Sequence, residues 1–369
     1  MSINDVYSQR VLHLRDACLN STDGFLGYST DDTVGHNLHF DQNHNLLYCQ
    51  IQKVGSTFMR KLLSKVIKDS TASKTKTSLM RLKNWKDLGF LKLHSVIQNS
   101  DKFMFVRDPY SRVLSGYVDK LFCPNEAYQK TSLGAFIVSE IREDASSLSL
   151  HCGHDVTFPE FVKYIILSEK RRIYRDRHFT PMYEHCRPCQ IPYDFIGKFE
   201  SFKKDISFLI DVWNKGYGTN IIFDDFEAKT AATLAKRQCE RLFQMRAEMK
   251  PCMTFYNASV RFWRDMQIRG ILPIQKSFPF STEYTINHMT EEDLFMAIKK
   301  TLSTIDDITS VKNQRTEALI EAYSLVTMED LYGLQTVIQP DCLLFNYDCR
   351  PPNIFDRKGT ITPLKYFNL

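Results

Sequence analysis

Two stretches decide the fold: LLYCQIQKVGSTF at residues 46–58 and FMFVRDPYSRVLS at residues 103–115. Each begins with a short apolar run of the kind that forms a buried strand, followed by turn-forming residues. After residue 58 the apolar positions recur every three to four residues, which predicts a helix. In the second stretch Pro109 suits the first turn of a helix. Both stretches therefore predict a strand, a tight loop and a helix.

A third stretch repeats this order at residues 193–213, where YDFIG precedes a stripe of apolar residues that ends at Trp213. Alternating strands and helices are typical of α/β proteins whose mainly parallel sheet is flanked by helices. We therefore expect an α/β fold.

The remaining sequence divides into segments by composition. Residues 1–45 are polar and predict an N-terminal arm with little regular structure, whereas residues 46–348 hold the α/β domain. Residues 214–310 predict a helical insertion or small subdomain, and residues 349–369 a C-terminal tail.

Local signals refine this division. The stretch Lys68–Lys83 is rich in Lys, Ser and Thr, which predicts a solvated linker or loop. The stretch Ala228–Lys250 predicts a largely exposed helix. Thr290 followed by Asp293 predicts the capped start of another helix.

Composition sets limits on function. The 369 residues are 43% hydrophobic and 25% charged, as in an ordinary globular protein. A net charge of +5 is too small to indicate a nucleic-acid partner, although it is compatible with an anionic ligand in a local basic pocket. The sequence shows no apolar run of about 18 residues and no signal-peptide centre, so it predicts no transmembrane segment.

The ten cysteines leave three interpretations open. Cys186 and Cys189 are close enough in sequence to suggest disulfide bonding or a metal site. Cys152 stands between His151 and His154, so zinc has to be considered, although the second ligand pair is irregularly spaced. Disulfides, buried free thiols and zinc are therefore all retained as alternatives.

The first loop has the residue types of an anion site. Lys53 supplies a positive charge, Gly55 permits close approach of the backbone, and the hydroxyls that follow add donors at the start of a helix. The loop is not a Walker A motif, because its lysine precedes a single glycine. An ordinary connection with one exposed lysine is the alternative.

The second loop offers a guanidinium at a strand end. Arg107 is placed to make paired hydrogen bonds to a phosphate. Ser115 lies about two helical turns further on and on the same side as Ser111. The alternative is that Arg107 and Asp108 form a structural ion pair. Two separate anion-binding strand ends suit a nucleoside phosphorylated at both its 3′ and 5′ positions.

Together the motifs resemble the Golgi carbohydrate sulfotransferases of the chondroitin 4-sulfotransferase group. The resemblance covers about residues 46–213 and 325–348. It rests on the segments Tyr48–Thr57, Lys102–Lys120, His178–Pro181, Cys186–Cys189, Tyr193–Glu200 and Asp341–Tyr347.

The resemblance implies a P-loop-like three-layer fold and a metal-independent enzyme. The donor would be 3′-phosphoadenosine 5′-phosphosulfate (PAPS), from which the sulfuryl group passes in line to a glycan hydroxyl. The implied 5′-phosphosulfate loop comprises Gln52, Lys53, Val54, Gly55, Ser56, Thr57 and Phe58. The implied 3′-phosphate site comprises Arg107, Asp108, Pro109, Ser111, Arg112 and Ser115. Lys53 would also stabilise charge on the leaving group.

A catalytic base is needed to take the hydroxyl proton, and a histidine is the natural candidate. His94 precedes the second strand by a short interval, so we place it first. His178 is the second candidate, because its motif accompanies the resemblance. Glu200 remains a third.

Several positions depart from the family pattern. Gln52 stands where the family usually has proline, and the asparagine or neighbouring tryptophan that the family has near Phe58 is not found. Tyr110 and Ser111 replace the usual large hydrophobic and acidic residues. These changes leave the donor loops chemically competent but put the acceptor specificity in question. The resemblance also implies a location in the Golgi lumen, although the family's usual membrane anchor is not visible here.

Two rival functions follow from the same sequence. One is a non-catalytic glycan-binding protein on the same fold, which the loss of Lys53 or Arg107 would have favoured. The other is a nucleotide kinase, which would need a Walker lysine and a magnesium-binding carboxylate.

If the loops of Lys53 and Arg107 hold one nucleotide, they must also lie close together in the fold.

Overall fold

The computed structural model describes residues 3–20, 37–69, 80–81, 90–129, 132–222, 226–357 and 364–368. Contacts divide the chain into two compact units. The first unit comprises Met1–Arg112, Asp176–Asp224 and Thr336–Cys349, and the second comprises Val113–Arg175, Asp225–Gln335 and Arg350–Leu369.

The helices follow in chain order as α1 (Ile3–Asn20), α2 (Ser56–Asp69), α3 (Phe90–Asn99), α4 (Pro109–Tyr117), α5 (Leu133–Ile141), α6 (Ser147–Cys152), α7 (Phe158–Arg171), α8 (Met182–Cys186), α9 (Phe202–Tyr217), α10 (Phe226–Gln244), α11 (Arg246–Met249), α12 (Phe255–Ile268), α13 (Thr282–Asn287), α14 (Glu291–Ser303), α15 (Ile308–Ser324), α16 (Met328–Phe345) and α17 (Pro352–Phe355). Short turns of 3₁₀ or π geometry lie at Val118–Phe122, Glu126–Tyr128 and Phe199–Ser201. Among the helices described, none is both long and apolar enough to cross a lipid bilayer.

A mixed five-stranded sheet forms the centre of the first unit. Its strands are β1 (Leu38–Asp41), β2 (Leu46–Cys49), β3 (Met80–Arg81), β4 (Asp101–Val106) and β5 (Phe195–Lys198). They lie in the order β3–β1–β2–β4–β5. Strand β4 pairs in parallel with β2 and β5, whereas β1 pairs antiparallel with β2 and β3. The α/β prediction is confirmed, and the three predicted strands form the parallel part of the sheet.

Aromatic packing fixes the centre of this sheet. The Tyr48 and Phe103 rings stack with their centroids 5.0 Å apart on neighbouring parallel strands. Trp213 of α9 meets Phe103 edge-on at 5.5 Å. All three side chains are buried, as expected for strands that read as continuous apolar runs. This core aligns the carboxyl ends of β2 and β4.

The prediction of an irregular N-terminal arm is wrong. Helix α1 and strand β1 both lie within residues 1–45. In α1, Arg10 donates to the Asp205 carboxylate at 2.6 Å and to the Ile196 carbonyl at 3.0 Å. A disulfide joins Cys18 to Cys189. The helix depends on partners almost two hundred residues away, so its own polar sequence gave little indication of it.

Of the three interpretations of the cysteines, the structure supports disulfide bonds for eight of them and buried free thiols for two. Four bonds form in the described residues: Cys18–Cys189, Cys49–Cys186, Cys152–Cys252 and Cys342–Cys349. Cys123 and Cys239 are buried free thiols, and burial raises the pKa of each to about 12. Within the described parts of the chain, no group of three or more His, Cys, Asp or Glu is placed to hold a metal ion.

The second unit is helical. Its apolar core joins one face of α10, which carries Ala235, Cys239 and Leu242, to Phe262 and Trp263 of α12. The predicted helix within Ala228–Lys250 is therefore present, but one face of it is buried.

Two sequence predictions concern the second unit: the capped start of a helix at Thr290 and the C-terminal tail. The predicted capping of α14 by Thr290 and Asp293 is confirmed, with both reciprocal hydrogen bonds formed. In the C-terminal tail, the backbone N–H groups of Lys365, Tyr366 and Phe367 donate to the Glu321 carboxylate.

Most of the predicted linker, residues 70–79 and 82–83, lies outside the described residues.

Candidate active site

The loop after β2 has the backbone geometry of an anion-binding turn. Lys53 and Gly55 both adopt left-handed conformations, with φ of 69° and 86°. Helix α2 then begins at Ser56, and its first turn contains no acidic residue. Left-handed residues beside a helix N-terminus turn successive N–H groups toward one point. This loop therefore presents backbone donors, two hydroxyls and one ammonium group.

Two features favour glycine at position 55: its left-handed φ and the close approach of a neighbouring ring. A Cβ atom at this position would lie 2.8 Å from the Phe202 ring, which belongs to the first turn of α9. Phe202 also meets Phe58 edge-on at 5.6 Å. The loop and the start of α2 thus rest on an aromatic side chain that follows β5.

The two predicted anion loops are in direct contact. Arg107 follows β4 and donates from Nη1 to the carbonyl oxygen of Lys53 at 3.2 Å. Its guanidinium also lies over the Phe199 ring, 4.5 Å from the ring centre. The loops that carry Lys53 and Arg107 therefore meet at the carboxyl ends of β2 and β4, which lie side by side in the sheet.

Arg112 joins the first loop to the segment around His178. Its side chain is 2% exposed. Nε donates to the carbonyl of Gln52 at 3.0 Å, and Nη1 donates to the carbonyl of Thr180 at 2.8 Å. Nη2 lies 3.5 Å from the carbonyl of Arg177. The guanidinium thus contacts backbone on both sides of His178, so it fixes that residue's segment against the loop.

The carboxylate of Asp108 caps α4. Its Oδ1 accepts from the N–H of Ser111 at 2.7 Å, while its own N–H donates to Glu200 Oε1 at 2.8 Å. Burial raises the pKa of Asp108, and the neighbouring Glu200 carboxylate contributes in the same direction. Asp108 therefore shapes the turn that carries Arg107.

His178 is oriented by a carboxylate. Its Nδ1 lies 2.7 Å from Asp176 Oδ1, and the same oxygen accepts from the backbone N–H of His178. A carboxylate partner on Nδ1 fixes the proton on that nitrogen and assigns proton uptake to Nε2.

A second histidine, His185, contacts the segment around His178 through the Thr180 hydroxyl. His185 is buried, and its Nε2 lies 3.0 Å from the Thr180 hydroxyl, while the Asn37 amide lies 3.3 Å from Nδ1. Burial and the Arg112 charge lower the pKa of His185 well below its ordinary value, so the ring is neutral. No sequence pattern had predicted this role for His185.

The other predicted residues occupy varied positions. Val54 is buried and faces the core, whereas Ser56, Thr57 and Phe58 are partly exposed. Ser115 is also partly exposed, but it belongs to the part of α4 in the second unit. The backbone of His94 lies on α3, and its side chain is outside the described residues.

Among the residues that follow β5, sequence reasoning named Glu200 only as a candidate base and assigned no site role to Phe199 or Phe202. The Arg107 guanidinium lies over the Phe199 ring, and the Glu200 carboxylate accepts from the backbone N–H of Asp108. The Phe202 ring packs against Gly55. The available signal was that a third apolar strand, parallel to β4, ends at this point.

Comparisons with known proteins agree on one family. The model of the sulfotransferase family matches residues 36–242. The chain is 31% identical over 222 residues to carbohydrate sulfotransferase 14 of Danio rerio, covering 56% of this chain and 59% of that protein. It is 32% identical over 218 residues to carbohydrate sulfotransferase 8 of Homo sapiens, covering 55% and 49%. It is 28% identical over 181 residues to carbohydrate sulfotransferase 11 of Mus musculus, covering 47% and 51%.

The chain spans about half the length of the curated relatives it matches. No solved structure matches it.

Proposed function

Because the chain belongs to the sulfotransferase family, we propose that it transfers a sulfuryl group from PAPS to a hydroxyl of a glycan. The observation that carries the proposal is the 3.2 Å hydrogen bond from Arg107 to the carbonyl of Lys53. That contact brings two cationic loops together, as a donor with phosphate groups at both its 3′ and 5′ positions requires.

The donor would lie across the two loops. Lys53 and the N–H groups of Gly55 to Thr57 would hold the 5′-phosphosulfate, and Arg107 would hold the 3′-phosphate. As a bond forms between the sugar oxygen and sulfur, the bond from sulfur to the phosphate oxygen breaks. Negative charge then grows on the leaving adenosine 3′,5′-bisphosphate. The ammonium of Lys53 and the aligned N–H groups stabilise that charge in the transition state.

We assign the proton of the acceptor hydroxyl to Nε2 of His178. Asp176 orients the ring, and Arg112 ties both flanking carbonyls to the donor loop. His94 remains the competing candidate, on a helix whose last residue, Asn99, precedes β4. Glu200 is the third candidate, but both of its carboxylate oxygens accept hydrogen bonds from the protein.

The acceptor class and location rest on the relatives. Proteins named carbohydrate sulfotransferases are similar to this chain, so a glycan is the proposed acceptor. The Golgi lumen is the proposed location because the sequence motifs resemble those of Golgi enzymes. We also propose that residues 46–348 form the sulfotransferase domain. The second candidate function, glycan binding without catalysis, is supported less well because Lys53, Arg107 and the Asp176–His178 pair are all present.

Nucleotide binding tests the proposal most directly. Calorimetric titration with adenosine 3′,5′-bisphosphate should show tight binding, and ATP should bind far more weakly. Labelled PAPS offered with chondroitin, dermatan, heparan and terminal-glycan acceptors should then label one class. Preference for ATP would indicate a kinase, whereas bisphosphate binding without label transfer to any glycan would indicate the non-catalytic alternative.

The base is tested by paired substitutions. His178→Asn should lower kcat by about 10²–10⁴-fold, the usual contribution of a general base, with little change in bisphosphate affinity. Asp176→Asn should lower kcat by a smaller factor, because it removes only the orientation of the ring. His94→Asn serves as the comparison. If kcat survives in His178→Asn and falls in His94→Asn, the base is His94.

A further inference from the structure

The turn Phe199–Ser201, together with Phe202, contacts both donor loops. Phe199 lies under the guanidinium of Arg107, and Phe202 lies against Gly55. Between them Glu200 accepts the backbone N–H of Asp108. Because β5 is parallel to β4 with Lys198 opposite Val106, this turn leaves the sheet beside Arg107.

Glu200 completes the cap of α4 from a distant part of the chain. In a capping box, the side chain of the residue just before the helix accepts from the backbone N–H of the third helical residue. The side chain of that third residue, usually Glu or Gln, accepts in return from the backbone N–H of the cap residue. Asp108 makes the first of these bonds to Ser111, but the serine side chain is too short for the second. Glu200 provides the missing acceptor at 2.8 Å.

Glu200 is itself held from its other side. Its Oε2 accepts the hydroxyl proton of Tyr347 at 2.8 Å. The Tyr347 ring lies under the ammonium of Lys198 at 4.0 Å, and Lys198 also donates to the carbonyl of Asn346 at 3.0 Å. Burial lowers the pKa of Lys198. The Glu200 carboxylate is thus fixed in position by a neighbour 147 residues further along the chain.

The segment that carries Tyr347 is anchored to α4 as well. The Cys342–Cys349 disulfide closes it, and the Tyr110 hydroxyl donates to the carbonyl of Cys349 at 2.7 Å. Both ends of the contact, the turn after β5 and the start of α4, are therefore held by the same short closed loop.

We propose that Glu200, held by Tyr347, is a positioning residue that sets the place of Arg107 and so the affinity for the donor's 3′-phosphate. The inference rests on the proposed function. A carboxylate cannot attract a phosphate, so its effect must pass through the Asp108 backbone to the adjoining Arg107. Removing the carboxylate frees the backbone N–H of Asp108, the residue that caps α4, and the Arg107 guanidinium loses its fixed direction.

Three variants test the role. Glu200→Ala should raise both the KM for PAPS and the Kd for adenosine 3′,5′-bisphosphate about tenfold or more, with kcat within about threefold of wild type. Glu200→Gln should behave almost as wild type, since its amide oxygen still accepts from Asp108 and its amide nitrogen can face the Tyr347 oxygen. Tyr347→Phe should fall between the two.

Matched controls come from the second unit. There the Tyr366 hydroxyl donates to the Glu317 carboxylate at 2.9 Å, so Tyr366→Phe and Glu317→Ala remove the same kind of bond far from the donor loops in sequence. Both should leave the KM for PAPS and the bisphosphate Kd unchanged. Thermal unfolding of every variant checks that the fold is retained.

The possible results separate cleanly. A large loss of kcat in both Glu200→Ala and Glu200→Gln, with affinity unchanged, would make Glu200 the base and overturn the inference. Unchanged affinity and kcat in Glu200→Ala would also overturn it. If the wild-type protein itself fails to bind the bisphosphate, it is the proposed function that fails, independently of Glu200.

Discussion

In the proposed donor site, Lys53 and Arg107 would supply the positive charge. Lys53 adopts a left-handed conformation, and Arg107 is bracketed by the Lys53 carbonyl and the Phe199 ring. A fixed cation stabilises developing charge better than a mobile one, because it does not have to reorganise during the reaction. These two residues should therefore affect the chemistry much more than the stability.

Substitution of either cation should separate activity from folding. Lys53→Ala should lower kcat by about 10²–10³-fold, the range found for lost transition-state donors. Arg107→Ala should mainly weaken bisphosphate binding. Steady-state kinetics with PAPS and calorimetry with the bisphosphate measure the two effects. A near-normal kcat in Lys53→Ala, or a near-normal bisphosphate Kd in Arg107→Ala, with the fold intact by circular dichroism, would remove that residue from the site.

Among the elements, helix α1 shows most clearly how a polar segment becomes ordered. Asp205 accepts from Arg10, from the Tyr7 hydroxyl and from the backbone N–H of Lys198. The Arg10 guanidinium also binds a carbonyl of β5, the strand at the sheet's edge. One buried carboxylate thus links α1 to the strand that leads into the turn of Glu200.

The disulfide of this helix should contribute measurably to stability. With Cys49–Cys186 intact, the Cys18–Cys189 bond closes a loop of about 35 residues, counted from Cys18 to Cys49 and from Cys186 to Cys189. Loop-closure entropy then gives roughly 3–4 kcal/mol. Cys18→Ser combined with Cys189→Ser should lower the free energy of unfolding in urea by that order and expose α1 to proteolysis.

A second double variant serves as the control for α1. Replacing Cys152 and Cys252 by serine removes a bond of the second unit and should not release the α1 segment to protease. An unchanged urea midpoint in the Cys18/Cys189 variant would show that the noncovalent contacts of α1 are enough to hold the helix.

For the whole molecule, a buried carboxylate should make stability depend on pH. Asp341 of α16 is 1% exposed and accepts the backbone N–H groups of Met182 and Tyr183 at 2.6 and 2.8 Å. Burial raises its pKa from 3.8 to about 6, against the opposing effect of the two N–H groups. The native protein therefore binds this proton more tightly than the unfolded chain does.

The sign of the pH effect follows from that difference. The contribution of Asp341 is fully present below about pH 4 and is lost as the pH rises through about 6. Urea unfolding of the wild type and of Asp341→Asn at pH 4, 5 and 7 should show the wild type losing its advantage over the variant as the pH rises. A constant difference between the two proteins would mean that Asp341 keeps its ordinary pKa in the fold.

Much of the fold and of the donor loops could be predicted from local patterns. Apolar runs at residues 46–51 and 103–106 marked β2 and β4, and Pro109 marked the start of α4. The glycine and lysine of the first loop and Arg107 after the second strand were recognisable because each stands at the end of such a run. Strand, loop and helix are short-range features, so the sequence carries them within about twenty residues.

The sequence by itself thus determined the α/β class, the parallel strands and the two cationic loops. Only the tertiary structure decided how those loops are held: Arg112 across to Thr180, Arg10 to Asp205, and Tyr347 to Glu200. These bonds join residues 68, 195 and 147 positions apart. A polar side chain whose partner lies so far along the chain leaves no periodic trace, because its role exists only once the chain has folded.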